Sequence, residues 1–314
     1  MAEPRGRALR HSLAELVGER LPNHAGLAHE VYAPRDRPGG DAGGDQGPWD
    51  RWFSHFEAMP RPAGYHAAYK RWKASCDADP RTLPLVLVVK NRLLVGHGNP
   101  SPTGVGLTLD RTWGTPVIPG SALKGLTSSY AEVTYGPAPE DMEAPERAPY
   151  RGIRRDGGRV VQGPGEVLRR LFGAPELDGG LGDEPGAIRG EILFHDAWWI
   201  PDTPDSGRLP LARDVLTVHQ SAYYGQRGGG KTDWPNDHDE PRPISFLTVR
   251  PGARFLAALT WAPAGDTPET AAPEVLARAS LHLTDALREW GVGGKTAAGY
   301  GRLEIETKNG KKPR

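Results

Sequence analysis

The chain has 314 residues, 37% hydrophobic and 25% charged, a balance that fits a soluble globular protein that is not core-rich. Formal net charge is +0, so bulk charge gives no attraction to nucleic acid, and any polyanion site must be local. One cysteine, Cys76, leaves no disulfide framework or thiolate zinc site, and no apolar run reaches the ~20 residues that span a bilayer. The opening MAEPRGRALRHSLAELVGERL lacks the apolar core of a secretion signal, so a cytoplasmic protein without a membrane partner is expected.

Leu13, Leu16, Val17 and Leu21 recur at helical spacing and predict an amphipathic helix over Arg10–Leu21. The stretch 33–48, APRDRPGGDAGGDQGP, reads as a flexible linker. Two helices are expected over Trp49–Met59 and Gly64–Cys76, carrying Trp49, Trp52, Phe53, Phe56, Tyr65, Tyr69 and Trp72 beside Arg51, Arg71 and Lys73. Aromatics interleaved with basic residues either stack bases or form a core and docking face. Leu83–Val95, LPLVLVVKNRLLV, is the strongest strand pattern, with Val86, Val88, Lys90 and Arg92 on one face. That face turns basic toward the strand's end, as an anion-facing sheet edge would, unless both long side chains simply extend into water.

A helix is expected over Ser121–Tyr135, with Ser121 as its N-cap and Leu123, Leu126, Tyr130 and Val133 on one face. Its free N–H groups and positive dipole end beside Lys124 would suit a phosphate. Gly136–Gly165 reads as a long loop with Arg151, Arg154, Arg155 and Arg159 against Asp156. Either it contacts an RNA backbone or it is a solvated charge run. A short helix over Val167–Phe172 precedes a strand over Gly190–Ile200, with Ile192, Phe194 and Asp196 on one face. A polar insertion around Gly225–Pro243 follows. Ile244–Val249 and Arg254–Ala262 flank PGA and predict a β-hairpin. The clearest helix spans Pro273–Trp290, and a last strand spans Tyr300–Glu306.

From Leu83 onward the order is strand, helix, strand, strand, helix, strand. The expected class is therefore α+β, a ferredoxin-like (RRM-like) βαββαβ domain whose open sheet face suits RNA. Its bounds are 83–307, with insertions near 136–165, 173–189 and 200–243. A helical N-terminal extension (1–82) precedes it and a basic tail (308–314) follows. Between the last helix and strand lies Gly291–Gly301, GVGGKTAAGYG, in which five of eleven residues are glycine around Lys295 and Thr296. Such a loop lets backbone approach an extended phosphate chain, or is a solvated turn. It is not a nucleotide-binding P-loop: Glu289 stands where that motif needs its first glycine, and the loop leaves a helix rather than a strand.

VGHGNPSP around Gly96–Pro102, GTPVIPGSALKG at Gly114–Gly125, LFG at Leu171–Gly173, GEILFHDA at Gly190–Ala197 and the closing GVGGKTAAGYG together resemble the RAMP superfamily of CRISPR-associated proteins. The arrangement VHQSAYYG…WPNDHDEPRPISFLTV is similar to that of the sixth-subunit family of the Cmr (type III-B) effector complex. The resemblance implies a non-catalytic subunit near the 3′ end of the CRISPR RNA, without cofactor or metal. Its implied partners are that RNA, the complementary target RNA, the backbone RAMP subunit, the first Cmr subunit and the small helical subunit. The segment around Leu211–Pro243 would project across the guide–target duplex. The expected RNA-binding set is Lys90, Arg92, Gly120, Ser121, Lys124, Arg154, Arg155, His219, Gly293, Gly294, Lys295, Thr296 and Arg302.

Two rivals stand beside this. A metal-independent endoribonuclease that processes CRISPR RNA would need an acid and a base, with His219, His195, His97 and His238 as candidates. A metal site from His195, Asp196, His219, Asp237 and His238 lacks ligand spacing.

Overall fold

The computed structural model describes residues 21–34, 47–138, 144–176, 187–201, 207–218, 242–263 and 268–306. The helix expected before residue 21, the linker over 35–46, the segment 219–241 with His219, and the basic tail lie outside these residues.

In chain order the elements are helices α1 (Ala25–Val31), α2 (Pro48–Ala58) and α3 (Tyr65–Ala78), strands β1 (Thr82–Val89) and β2 (Val117–Ile118), and helix α4 (Gly120–Tyr135). Strands β3 (Arg154–Asp156) and β4 (Arg159–Gln162) lead to helix α5 (Glu166–Phe172), then to β5 (Gly173–Ala174) and β6 (Ile188–Arg189). Next come β7 (Ile192–Phe194), β8 (Ala197–Trp199), β9 (Leu211–Val218), β10 (Arg242–Val249) and β11 (Arg254–Trp261), then helix α6 (Ala272–Glu289) and strand β12 (Leu303–Ile305). The chain is thus a mixed α/β fold, divided into two compact units.

One unit draws on His66–Leu93, Val117–Thr203 and Pro251–Arg314. Its sheet runs β12-β1-β11-β8-β2, with β7 also on β11, and every pairing is antiparallel. The run TLPLVLVV takes the centre because alternate residues suit two environments: Leu85, Leu87 and Val89 are buried, while Pro84, Val86 and Val88 are half-buried. In β11, Ala257 opposite Leu85 and Phe255 opposite Leu87 are also buried, as is Leu259 opposite Leu83. Helices α4 and α6 pack on one another, and α6 packs on β11 and β12. In α6, Leu276, Ala279, Leu283 and Leu287 recur at helical spacing and are buried, as expected. In α4 the buried face is Leu123, Thr127, Tyr130 and Ala131. Val133 was expected there but is exposed, because ten residues from Leu123 is a rotation of about 80° off that face.

Three local expectations change. The strand foreseen over Gly190–Ile200 divides into β7 and β8. Between the pairs Phe194↔Leu259 and Trp198↔Leu256 lie three residues on one side and two on the other. That extra residue is a β-bulge, which resets the alternation so that Ile192, Ala197 and Trp199 are all buried. The hairpin foreseen around PGA does not form. β10 pairs along its whole length with β9, and β11 pairs with β1. Pro251 has no N–H to donate, while Gly252, at φ +79°, donates to Val89 O at 2.7 Å. The arginine segment expected as a loop contains an ordered hairpin. Asp156 pairs with Arg159, and Gly157-Gly158, both at positive φ, make its two-residue turn.

The other unit draws on the described parts of Met1–Tyr65, Leu94–Pro116 and Pro204–Arg250. Here α2 packs on β9. Trp52, Phe53 and Phe56 are fully buried, with Trp52 Nε1 donating to Ala28 O at 3.1 Å. Arg213 of β9 lies 5.0 Å from the Phe53 ring centroid, donates to Ser245 Oγ at 2.9 Å and pairs with Asp50. The aromatic stripe over residues 52–56 is therefore core, not a base-stacking surface. Its i, i+1, i+4 spacing fits either use, and only burial separates them.

Candidate nucleic-acid interface

The end of β1 and the start of β12 build one local site. Lys90 N donates to Arg302 O at 2.9 Å, and Gly301 N donates to Arg92 O at 2.8 Å. Asn91 Nδ2 donates to Gly299 O at 2.9 Å, and Arg302 Nη1 to Arg288 O at 3.4 Å. These bonds bring Lys90, Arg92 and Arg302 beside the glycine-rich loop. The basic face foreseen on β1 is nevertheless neutralised in part. Lys90 Nζ pairs with Glu304 at 3.0 Å, and Arg254 pairs with Glu306, both acids standing on or just past β12. The strand pattern could not reveal this, because the acids come from a segment some 200 residues away.

The loop closes on itself through Val292 N to Gly301 O at 2.9 Å. A Cβ on Gly301 would sit 2.1 Å from Val292 O, so only glycine permits this approach. Lys295 has φ 59° and ψ 31°, and is the one non-glycine residue at positive φ among those described. It caps the short 3-10 turn Thr296–Ala298. The amides of Gly293, Gly294 and Lys295 donate to no acceptor among the described residues, whereas those of Ala298, Gly299, Tyr300 and Gly301 are engaged. Consecutive free N–H groups around a left-handed residue form a concavity suited to an anion. Gly293 is exposed, and Gly294, Lys295 and Thr296 are half-exposed.

The helix start at PGSALKG is built differently from expectation. Pro119, at φ −59° and ψ 137°, is the N-cap, and Ser121 is already inside α4, exposed. Gly120 is buried, and a Cβ there would meet Phe194 O at 2.0 Å. Its N–H donates to Asp196 Oδ1 at 2.7 Å, so the β7–β8 bulge delivers a carboxylate to the positive end of the helix. Asp196 was not foreseen in this role; period-two alternation alone puts it on a sheet face. Lys124 is half-exposed one turn along. This helix start and the glycine-rich loop do not form one pocket. Tyr130 Oη donates to Glu289 at 2.9 Å near the loop, and Gly120 lies about 15 Å of helix rise away from Tyr130. Arg154 and Arg155 stand exposed on the β3–β4 hairpin, Arg155 donating to Gly158 O at 3.3 Å.

The acid–base candidates fare differently. His195 Nε2 lies 2.9 Å from Thr260 Oγ1, and its ring packs 5.3 Å from Trp72. Burial lowers its pKa, with Asp196 opposing, so the ring is uncharged near neutrality. Among the described residues, no three His, Cys, Asp or Glu side chains converge to hold a metal ion. His219, Asp237 and His238 lie outside those residues.

A family model described as the RAMP superfamily matches residues 86–304, well over half the chain. The chain belongs to the RAMP superfamily. Both RAMP-like segments described above, the α4 start and the glycine-rich loop, lie inside that match. The chain is 31% identical over 236 residues to CRISPR system Cmr subunit Cmr6 of Pyrococcus furiosus. The aligned part covers 68% of this RAMP chain and 65% of that relative, so it spans slightly under two thirds of the relative's length. Among solved structures, a chain of the type III-B Cmr-beta complex bound to cognate target RNA is similar at 18% identity, covering 81% of this chain and 70% of that one, with TM-score 0.49. The crystal structure of Cmr6 from Pyrococcus furiosus is similar at 25% identity, covering 72% and 98%, with TM-score 0.40.

Proposed function

We propose that this RAMP chain is a non-catalytic RNA-binding subunit of a type III-B CRISPR–Cas (Cmr) ribonucleoprotein acting in antiviral defence in the cytoplasm. The observation that carries the reading is the glycine-rich loop: free amides at Gly293–Lys295, beside Lys90, Arg92 and Arg302. Such a surface offers groups for phosphates, which carry no sequence information. The similarity to Cmr6 supports the complex to which the subunit is assigned. There it caps the assembly near the 3′ end of the CRISPR RNA and helps hold the guide–target duplex. Its neighbours are the backbone RAMP subunit, the first Cmr subunit and the small helical subunit. Ser121, Lys124, Arg154, Arg155, Thr296 and His219 complete the proposed contact set; Gly120, expected with them, is buried with its N–H on Asp196 and so positions the helix start rather than contacting RNA.

The architecture proposed for this role is a ferredoxin-like domain over 83–307 following a helical extension. It is supported by the order β1, α4, β7–β8, β11, α6, β12 and by a sheet that sets the last strand beside the first. The combined replacement of Lys90, Lys295 and Arg302 by alanine tests the function. Guide RNA retained by the assembled complex should fall to a similar extent for unrelated guide sequences, with a shallower salt dependence by roughly 0.7 per lost phosphate contact. Unchanged retention, or a loss confined to particular sequences, would sink the assignment.

A further inference from the structure

On the helical side of the sheet unit, away from the glycine-rich loop, lies a groove of about 610 Å³. Among its lining residues are Tyr135, Tyr150, Glu274, Arg278, Leu281 and His282. Its floor is aromatic: Tyr135 lies 5.2 Å from Tyr150 and 5.0 Å from His282, centroid to centroid, and Tyr150 Oη meets His282 Nε2 at 3.2 Å. Its rim is polar, with Arg278 and Glu274 paired at 3.0 Å on successive turns of α6. Leu281 is 55% exposed at the edge, an apolar side chain with nothing over it among the described residues. We infer that this groove takes an unpaired nucleobase of single-stranded RNA, stacked on the Tyr135–Tyr150 rings, with Glu274 accepting from its amine and Arg278 donating to its carbonyl.

The volume lies within the range of small-ligand sites, and an aromatic platform accepts any base face. What favours RNA over a protein side chain is the charge next to it. The β3–β4 hairpin that follows Tyr150 carries exposed Arg154, Arg155 and Arg159 against Asp156, in a chain of zero net charge. Arg151 follows Tyr150 directly, and exposed Arg154 is four residues on, within ~14 Å along the chain. A base in the groove would leave its flanking phosphates beside this hairpin, the pairing of platform and cationic track that single-strand binders use. Burial lowers the His282 pKa, with Arg278 adding to the effect and Asp285 opposing it, which favours the neutral ring on the floor.

This inference rests on the RNA-binding reading above, and one experiment separates the two. The Cmr complex containing this chain is assembled on a guide RNA substituted with 4-thiouridine, irradiated, and its cross-linked peptides mapped. Cross-links at residues 144–151 or 274–282 are expected. Tyr150→Ala should weaken them about 5- to 100-fold, and Leu281→Glu, which puts a repelling charge on an exposed position, should weaken them without disturbing the core. Cross-links at 291–301 should persist in both variants. Cross-links at 291–301 with none in the groove would overturn this inference and leave the function standing. An absence of cross-links anywhere on the chain would overturn both. If Leu281→Glu blocks entry of the chain into the complex before RNA is added, the groove holds a protein neighbour and the inference fails.

Discussion

Lys295 separates charge from conformation, because its backbone sits at φ 59° and ψ 31°. An L-residue there costs roughly 1–2 kcal/mol, which glycine escapes. Glycine in turn loses about 0.5–1 kcal/mol through the greater freedom of the unfolded chain. Lys295→Gly should therefore stabilise the protein by about 0.5–1 kcal/mol, whereas Lys295→Ala keeps the strained backbone and should leave stability unchanged. Both remove the same charge, so both should weaken RNA binding alike. If Lys295 neutralises one phosphate of a single strand, the salt slope falls by about 0.7, and raising salt from about 50 to about 200 mM should narrow the gap between wild type and variant by about 2.6-fold. Urea melts of the purified chain measure the first quantity, and guide-RNA titrations of the complex at several salt concentrations measure the second. Equal stability of the two variants would refute the strain argument. A weakened affinity with an unaltered slope would refute the phosphate contact.

Asp196→Ala removes the oxygen at the start of α4 that accepts from Gly120 N at 2.7 Å, and should lower stability by about 0.5–2 kcal/mol in urea melts; an unchanged midpoint would show that the cap contributes nothing. His29 is 3% exposed and burial pushes its pKa down to about 4, against 6.5 for the free side chain. The unfolded chain therefore binds the extra proton between those values. The stability His29 permits is intact above about pH 6.5 and is lost progressively as pH falls toward 4, on the order of 3 kcal/mol in all. Melts of His29→Phe between pH 7 and pH 4 should lose that part of the slope, and an identical slope would locate the acid sensitivity elsewhere.

Much of this protein is determined locally. The nearly continuous apolar run LPLVLVV, rich in valine and leucine, and the 3.6-residue recurrence of Leu276, Ala279, Leu283 and Leu287 mark a central strand and a buried helix by themselves. The glycines of GVGGKTAAGYG likewise announce backbone that needs positive φ, and four of them, with Lys295, adopt it. Those same motifs carry the family resemblance, which the match over 86–304 bears out. Tertiary structure decided what faces each charge and each ring. Lys90 meets Glu304 across a strand pair, Asp196 reaches Gly120 because a bulge shifts the alternation by one residue, and Trp52, Phe53 and Phe56 turn inward. The strand around Ile244–Val249 pairs with β9 and β11 pairs with β1, rather than with each other. Periodicity along a chain encodes which side of an element is apolar; it carries no record of which distant segment will cover that side, and that pairing is what makes a cationic strand end neutral or leaves a loop amide free.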